Sequence, residues 1–246
     1  MLLTWIVVFS ILGSVGAIIG AALLLTFPAH MRKTLLPGLL SYATGTLLGA
    51  AFLGMIPTGV QQATVLSVSS TVLAGIILFF FLEKMIIWRH CHDVECEVHG
   101  TAGPLILIGD AFHNFVDGFV IAAAFLTSIP LGIAASLAVI AHEVPQEVGD
   151  FAILLESGYS RTRALVLNML SSLTTLPGAV IAYYFLGATM EAVPYILALS
   201  AASFIYIAVA DLVPSLHRQI GLKQALMQFV LVLAGIGTIA IFQLAH

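Results

Sequence analysis

The chain has 246 residues, of which 61% are hydrophobic and only 8% charged, against about a quarter charged in a soluble domain. With a mean hydropathy of +1.12, this is the composition of an integral membrane protein, and it excludes a large soluble catalytic domain. Eight Lys and Arg residues and a net charge of −4 cannot build the basic surface that a nucleic-acid partner requires.

Apolar runs of bilayer length, roughly 20 residues each, predict eight transmembrane helices at residues 3–27, 35–56, 66–88, 103–127, 131–155, 163–187, 194–215 and 223–244. The fold class is an all-α, multi-pass membrane protein with one transmembrane domain over 1–246. The first run has no basic segment before it and is too long for a signal-peptide core, so it reads as a mature span. Arg32 and Lys33 follow span one, Lys84 and Arg89 end span three, Arg161 and Arg163 follow span five, and Arg218 and Lys223 follow span seven. All of them fall on one side. The positive-inside rule makes that side cytoplasmic and leaves both termini outside. In spans one and two, Gly16 with Gly20 and Gly45 with Gly49 form small-xxx-small pairs, which predict close helix packing.

The loop over 89–103 begins RHCHDVECEVHG and carries His90, Cys91, His92, Cys96 and His99. Thiolate and imidazole so close together are candidate ligands for a zinc-like ion. The CxxC pair of a closed structural site is missing, and a solvated polar loop accounts for the same residues.

Spans four and five hold most of the acidic and histidine residues that fall within the spans. Span four carries Asp110, His113, Asn114 and Asp117; span five carries His142, Glu143, Gln146, Glu147 and Asp150. Ionisable groups at bilayer depth cost on the order of 2.5–3.5 kcal/mol each even on the mildest scale, so their retention calls for a function. Spacings of three and four put each set on one stripe of its helix. If the helices run straight and antiparallel, residues whose numbers sum to about 259 share a depth, at about 1.5 Å per residue. His113 is then level with Gln146, Asp117 with His142, and Asp110 with Asp150, near the midplane. Imidazole, carboxylate and amide oxygen converging there suit a borderline divalent ion such as Zn²⁺, Fe²⁺, Mn²⁺ or Cd²⁺ rather than an alkali ion. A proton relay or a self-satisfied polar network is the alternative. Pro145 within the stripe frees a backbone carbonyl, which a membrane helix tolerates where it lines a cavity.

HNFVDG at 113–118 and HEVPQEVGD at 142–150 resemble the signature helices of the ZIP family of divalent-metal transporters, closest to its histidine-rich branch. The resemblance continues through GDFAILLESGYSRTRAL and covers nearly the whole chain, including the order of spans and the loop after span three. It implies a binuclear metal site, with His113, Asp117 and Gln146 at one ion and Asn114, Glu143 and Gln146 around the second; His142 and Glu147 adjoin either. Asp110, Asp150 and Asp211 become candidate pathway groups, Asp211 being the exit acid. A homodimer and alternating access of one helix bundle against another are also implied. The chain departs from the family in three places. Gln146 stands where relatives carry His or Glu, Ala50 and Gly54 stand where span two often has ligands, and Thr174, Thr175 and Pro177 stand where some relatives place a glutamate in span six. These departures weaken the second site and imply broader metal selectivity.

The function read from the sequence is import of divalent metal, Zn²⁺ first, into the cytoplasm, with the metal as transported substrate and the lipid bilayer as surroundings. Such a cation gains about 4.6 kcal/mol per 100 mV of inside-negative potential. No ATP is implied, because none of Lys33, Lys84 and Lys223 lies in a GxxxxGK[ST] loop. The alternatives are a passive metal channel, or an intramembrane metallohydrolase built on His142 and Glu143, although Gln146 spoils the HExxH pattern. The chain is therefore expected not to be an enzyme.

Overall fold

A computed structural model describes residues 1–90, 102–217 and 221–244. Eight helical stretches are long and apolar enough to cross a membrane: Leu2–Thr26, His30–Gln62, Val65–Leu82, Ile106–Thr127, Ile129–Leu155, Arg161–Ala188, Met190–His217 and Leu222–Gln243. No strand occurs among the described residues. The expected eight-span, all-α architecture is the one observed. Cys91, His92, Cys96 and His99 lie outside the described residues, and of His90 only the backbone at a helix end is described.

Span two is longer at both ends than the predicted 35–56. Its helix widens into a π-helical segment at Ala50–Met55 just before Pro57. Proline has no N–H and crowds the carbonyl four residues earlier, and a π bulge lets the chain pass it without ending the helix. Span seven does the same, with π-helical Ile207–Leu212 two residues before Pro214. Span six is made of two helices, Arg161–Ser172 and Thr175–Ala188, with the bend at Leu173 and Thr174.

Spans four and five are joined by Ser128 alone. Its extended backbone turns the chain, and its hydroxyl accepts a hydrogen bond from the Leu131 N–H to cap span five. So tight a hairpin fixes the register of the two helices, since residues equidistant from Ser128 must face each other.

The helices pack in two groups. Spans one, four, five and six contact one another, and span two packs on eight while span three packs on seven; spans two and seven also touch the first group. Lipid tails are as apolar as the side chains, so association depends on close fit rather than on hydrophobic transfer. Gly118 of span four and Gly178 of span six are each pressed on the other helix's backbone, where a Cβ would overlap Thr175 or Phe115. Gly45 and Gly235 do the same between spans two and eight. Gly20 meets Val144 and Gly49 meets Ile239, but nothing lies within 4 Å of a Cβ on Gly16. The expected pair in span one thus packs through one member only.

The half of the bundle away from the basic residues, the distal half, is closed by one apolar cluster. It includes Val120–Phe125 of span four, Leu131, Ala134, Ala135, Ala138 and Val139 of span five, and Met55 and Phe204 from the other group, none more than 1% exposed.

Candidate metal centre

The polar stripes of spans four and five meet below that apolar cluster. His113 Nε2 lies 3.1 Å from His142 Nε2, 3.4 Å from Glu143 Oε1 and 3.7 Å from Asp117 Oδ2. His142 Nε2 lies 3.3 Å from Asp117 Oδ2 and 3.5 Å from Glu143 Oε1. A tetrahedral zinc with bonds of about 2.0–2.1 Å has ligand-to-ligand edges of roughly 3.3–3.4 Å. The five separations bracket that value, and one donor atom from each of the four residues lies within 4.8 Å of the others, so the group is of a size to hold one zinc ion. Asp110, Glu143 and Glu147 form a second group, whose oxygens also lie within 4.8 Å of one another. Glu143 belongs to both groups.

The chemistry of the donors fits a cation. Both carboxylate oxygens of Asp117, Glu143 and Glu147, and one each of Asp110 and Asp150, are buried without a hydrogen-bond partner. Burying unpaired carboxylates is costly unless a cation joins them or a proton neutralises them, and two imidazoles beside several acids give a cation a ligand set. His142 is oriented for that role. Its Nδ1 is 2.9 Å from the Ala138 carbonyl, which can only accept, so Nδ1 carries the proton and Nε2 presents its lone pair to the cluster. The ring rests edge-on against Phe204 of span seven, 5.9 Å between centroids.

Three residues named from the sequence take different places from those the resemblance implies. Gln146 Nε2 donates to Asp110 Oδ1 at 3.2 Å, and His142 stands where Gln146 was expected in the first group. Asn114 Nδ2 donates to Asp110 Oδ1 at 2.9 Å, while its Oδ1 accepts from Thr175 Oγ1 at 3.0 Å. Both amides thus orient Asp110, which joins the second group and also lines a cavity that opens toward the basic face. The depth pairs shift for one reason. Asp110 and Gln146 lie eighteen residues on either side of Ser128, and His113 and His142 fifteen and fourteen, so the tight hairpin displaces the expected register by about one turn. Asp117 with His142 survives as a diagonal contact.

Other contributors carried little signal in the sequence. Thr175 belongs to the bend of span six, where Thr174 Oγ1 also donates to the Ala111 carbonyl. Asn168 Nδ2 donates to the Glu147 carbonyl at 3.2 Å. A polar residue at helical spacing from Ser171, Ser172 and Thr175 was the available sign.

A cavity of about 870 Å³ leads from His113 and His142 toward the basic face. Asp110, Gln146 and Asp150 line it, and so does Asp211 on the π-helical segment of span seven. Asp211, Pro214 and Ser215 are exposed at its mouth. Pro145 lines its wall inside the unbroken helix of span five.

Residues 88–243, well over half of the chain, match the family model described as ZIP zinc transporter. The chain belongs to the ZIP family. Zinc transporter ZIP13 of Pongo abelii is 33% identical over 98% of this chain and 79% of its own length. Human zinc transporter ZIP4 is 45% identical over 46% of this chain, and an uncharacterized zinc transporter of Schizosaccharomyces pombe is 41% identical over 52%. The chain spans 18% and 31% of the lengths of these two relatives. It is thus a multi-pass membrane protein of a ZIP metal-ion transport family, and its polar cluster lies within the matched residues.

Proposed function

We propose that this ZIP protein imports divalent metal, Zn²⁺ above all, into the cytoplasm through the cluster between spans four and five. His113, Asp117, His142 and Glu143 bind the transported ion, Asp110, Glu143 and Glu147 form a neighbouring all-oxygen position, and Asp150 and Asp211 line the way out. The gathering of two imidazoles and two carboxylates at zinc-ligand separations, with both imidazoles lining the cavity, carries this reading. Two imidazoles with two carboxylates favour Zn²⁺, with Fe²⁺, Mn²⁺ and Cd²⁺ as further substrates, over the harder Mg²⁺ and Ca²⁺. The basic residues on the side of the cavity mouth support a cytoplasmic mouth and outside termini.

The apolar distal half favours a carrier over a passive channel, because a hydrated ion needs that half to rearrange before it can enter. The split into two helix groups provides surfaces on which alternating access can occur. The driving force is the membrane potential and the metal gradient, without ATP, and the working unit is a homodimer. A hydrolase is disfavoured because Glu143, its would-be general base, stands in both donor groups. The test is radioactive zinc uptake into vesicles containing the purified protein, with a negative-inside potential, for wild type and His113→Ala. Saturable uptake lost in the variant is expected. Proton flux without metal uptake, beside a working control transporter, would overturn the proposal in favour of a relay.

A further inference from the structure

A second cavity, of about 530 Å³, lies between spans one, five and six and is lined at one end by Arg32 and Arg161. It differs from the metal cavity in charge. The basic end is lined by Arg32, near the start of span two, and Arg161, the first residue of span six. Neither makes an ion pair among the described residues, and Arg32 Nε is buried without a hydrogen-bond partner. Nearby Arg163 is engaged, with its guanidinium 4.7 Å over the Tyr159 ring. Arg161 and Thr162 also begin a twelve-residue helix capped by Ser160, so the positive end of its dipole adds to the field at this mouth.

The opposite end of the cavity has the reverse chemistry. Glu147 lines it with both carboxylate oxygens unpartnered, and so does Asn168 with an unpartnered Oδ1. These are acceptors that repel an anion. A negatively charged ligand is therefore confined to the arginine end, at the level of the bilayer surface. The walls between are apolar, with Leu25 and the exposed Leu165 beside the mouth. Together these features describe an amphiphile with an anionic head.

We propose that Arg32 and Arg161 bind the phosphate of an anionic glycerophospholipid from the leaflet on the basic face, with its acyl chain running past Leu165. Planar guanidinium forks match phosphate oxygens in bidentate fashion, and a desolvated Nε strengthens the bond. Arg32 opens span two of one helix group and Arg161 opens span six of the other. A shared phosphate ties the two groups together on the face where the metal cavity opens, and so favours the arrangement described above. Binding itself does not depend on the transport reading and is measured without metal.

The experiment is native mass spectrometry of the purified full chain in detergent, titrated with phosphatidylglycerol, phosphatidylcholine, or inorganic phosphate. Wild type is expected to retain one phosphatidylglycerol in preference to phosphatidylcholine. Arg32→Gln and Arg161→Gln are expected to weaken that retention at least about tenfold, while Lys223→Gln, on the same face but outside the cavity, leaves it unchanged. Thr162→Glu puts an acid at the mouth on an exposed, dipole-favoured position and gives the same loss if either arginine variant fails to fold. Equal retention of both lipids, or retention unaffected by Thr162→Glu, overturns the proposal. Inorganic phosphate displacing the lipid at micromolar concentration would assign the site to the free anion instead.

Discussion

The same two helices behave differently on either side of Asp117 and His142. On the distal side, Val120–Phe125 of span four and Leu131, Ala134, Ala135, Ala138 and Val139 of span five contribute apolar side chains to a buried cluster, and the hydroxyl of Ser136 within that stretch is taken up by the Gly132 carbonyl. On the basic side, Asp110, His113, Glu143 and Glu147 hold more acceptor atoms than donors to satisfy them, beside a cavity that reaches the surface. The contrast has a physical cause. A buried carboxylate is tolerated at this depth with a cation, a proton or a wet route to either, whereas tight apolar packing keeps water and ions from the other half. The boundary between the halves is where the group of four donors sits. In the import proposed above, an ion reaches that boundary only when the distal half rearranges and leaves through the cavity.

Several substitutions bear on that contrast. The largest effect is expected from His142→Ala, which removes one of the four donors and the only one set by a backbone carbonyl partner at Ala138. Zinc affinity, read by isothermal titration of purified protein, should fall by more than the roughly 10–100-fold typical of outer-shell partners. Asn114→Ala and Thr175→Val should cost about 10–100-fold, because they loosen Asp110 without removing a donor; a loss as large as that of His142→Ala would make Asn114 a ligand. Gly118→Ala tests the scaffold, since its Cβ would overlap the Thr175 carbonyl oxygen and the Ala179 backbone nitrogen. Overpacking of this kind costs about 1–3 kcal/mol, seen as a lowered melting temperature in detergent, with zinc affinity of the folded fraction retained. In a chain with Cys91 and Cys96 replaced by Ser, Ala210→Cys should react with a water-soluble thiol reagent and Ala124→Cys should not. The smallest effect is expected from Asp211→Asn. An exposed charge contributes up to about 1 kcal/mol, so the uptake rate should change only within about fivefold.

The eight spans and the polar stripes were legible from the sequence because hydropathy and helical spacing report directly on burial in a bilayer. His113 and Asp117, four residues apart on one face, were candidates on that basis alone, and the structure sets them 3.7 Å apart. What the sequence did not reveal came from contacts between helices. The one-residue hairpin at Ser128 set a register that an assumption of equal span ends misses, and this exchanged Gln146 for His142 beside His113. The second π-helical segment places Asp211 at the cavity mouth, and Pro214 alone does not announce it, since Pro145 lies within an unbroken α-helix. Thr175 lay in plain view but was read as the absence of a ligand. Its role as the partner of Asn114 depends on the bend in span six bringing it to span four.

The most direct measurement of the central claim is zinc X-ray absorption on the purified chain carrying Ser at Cys91 and Cys96 and loaded with one equivalent of metal. The account predicts a four-coordinate shell of nitrogen and oxygen at about 2.0–2.1 Å with the outer-shell scattering of two imidazoles, falling to one in His113→Ala. A six-coordinate, all-oxygen shell without imidazole scattering would contradict it and would place the bound ion among the carboxylates of Asp110, Glu143 and Glu147 instead.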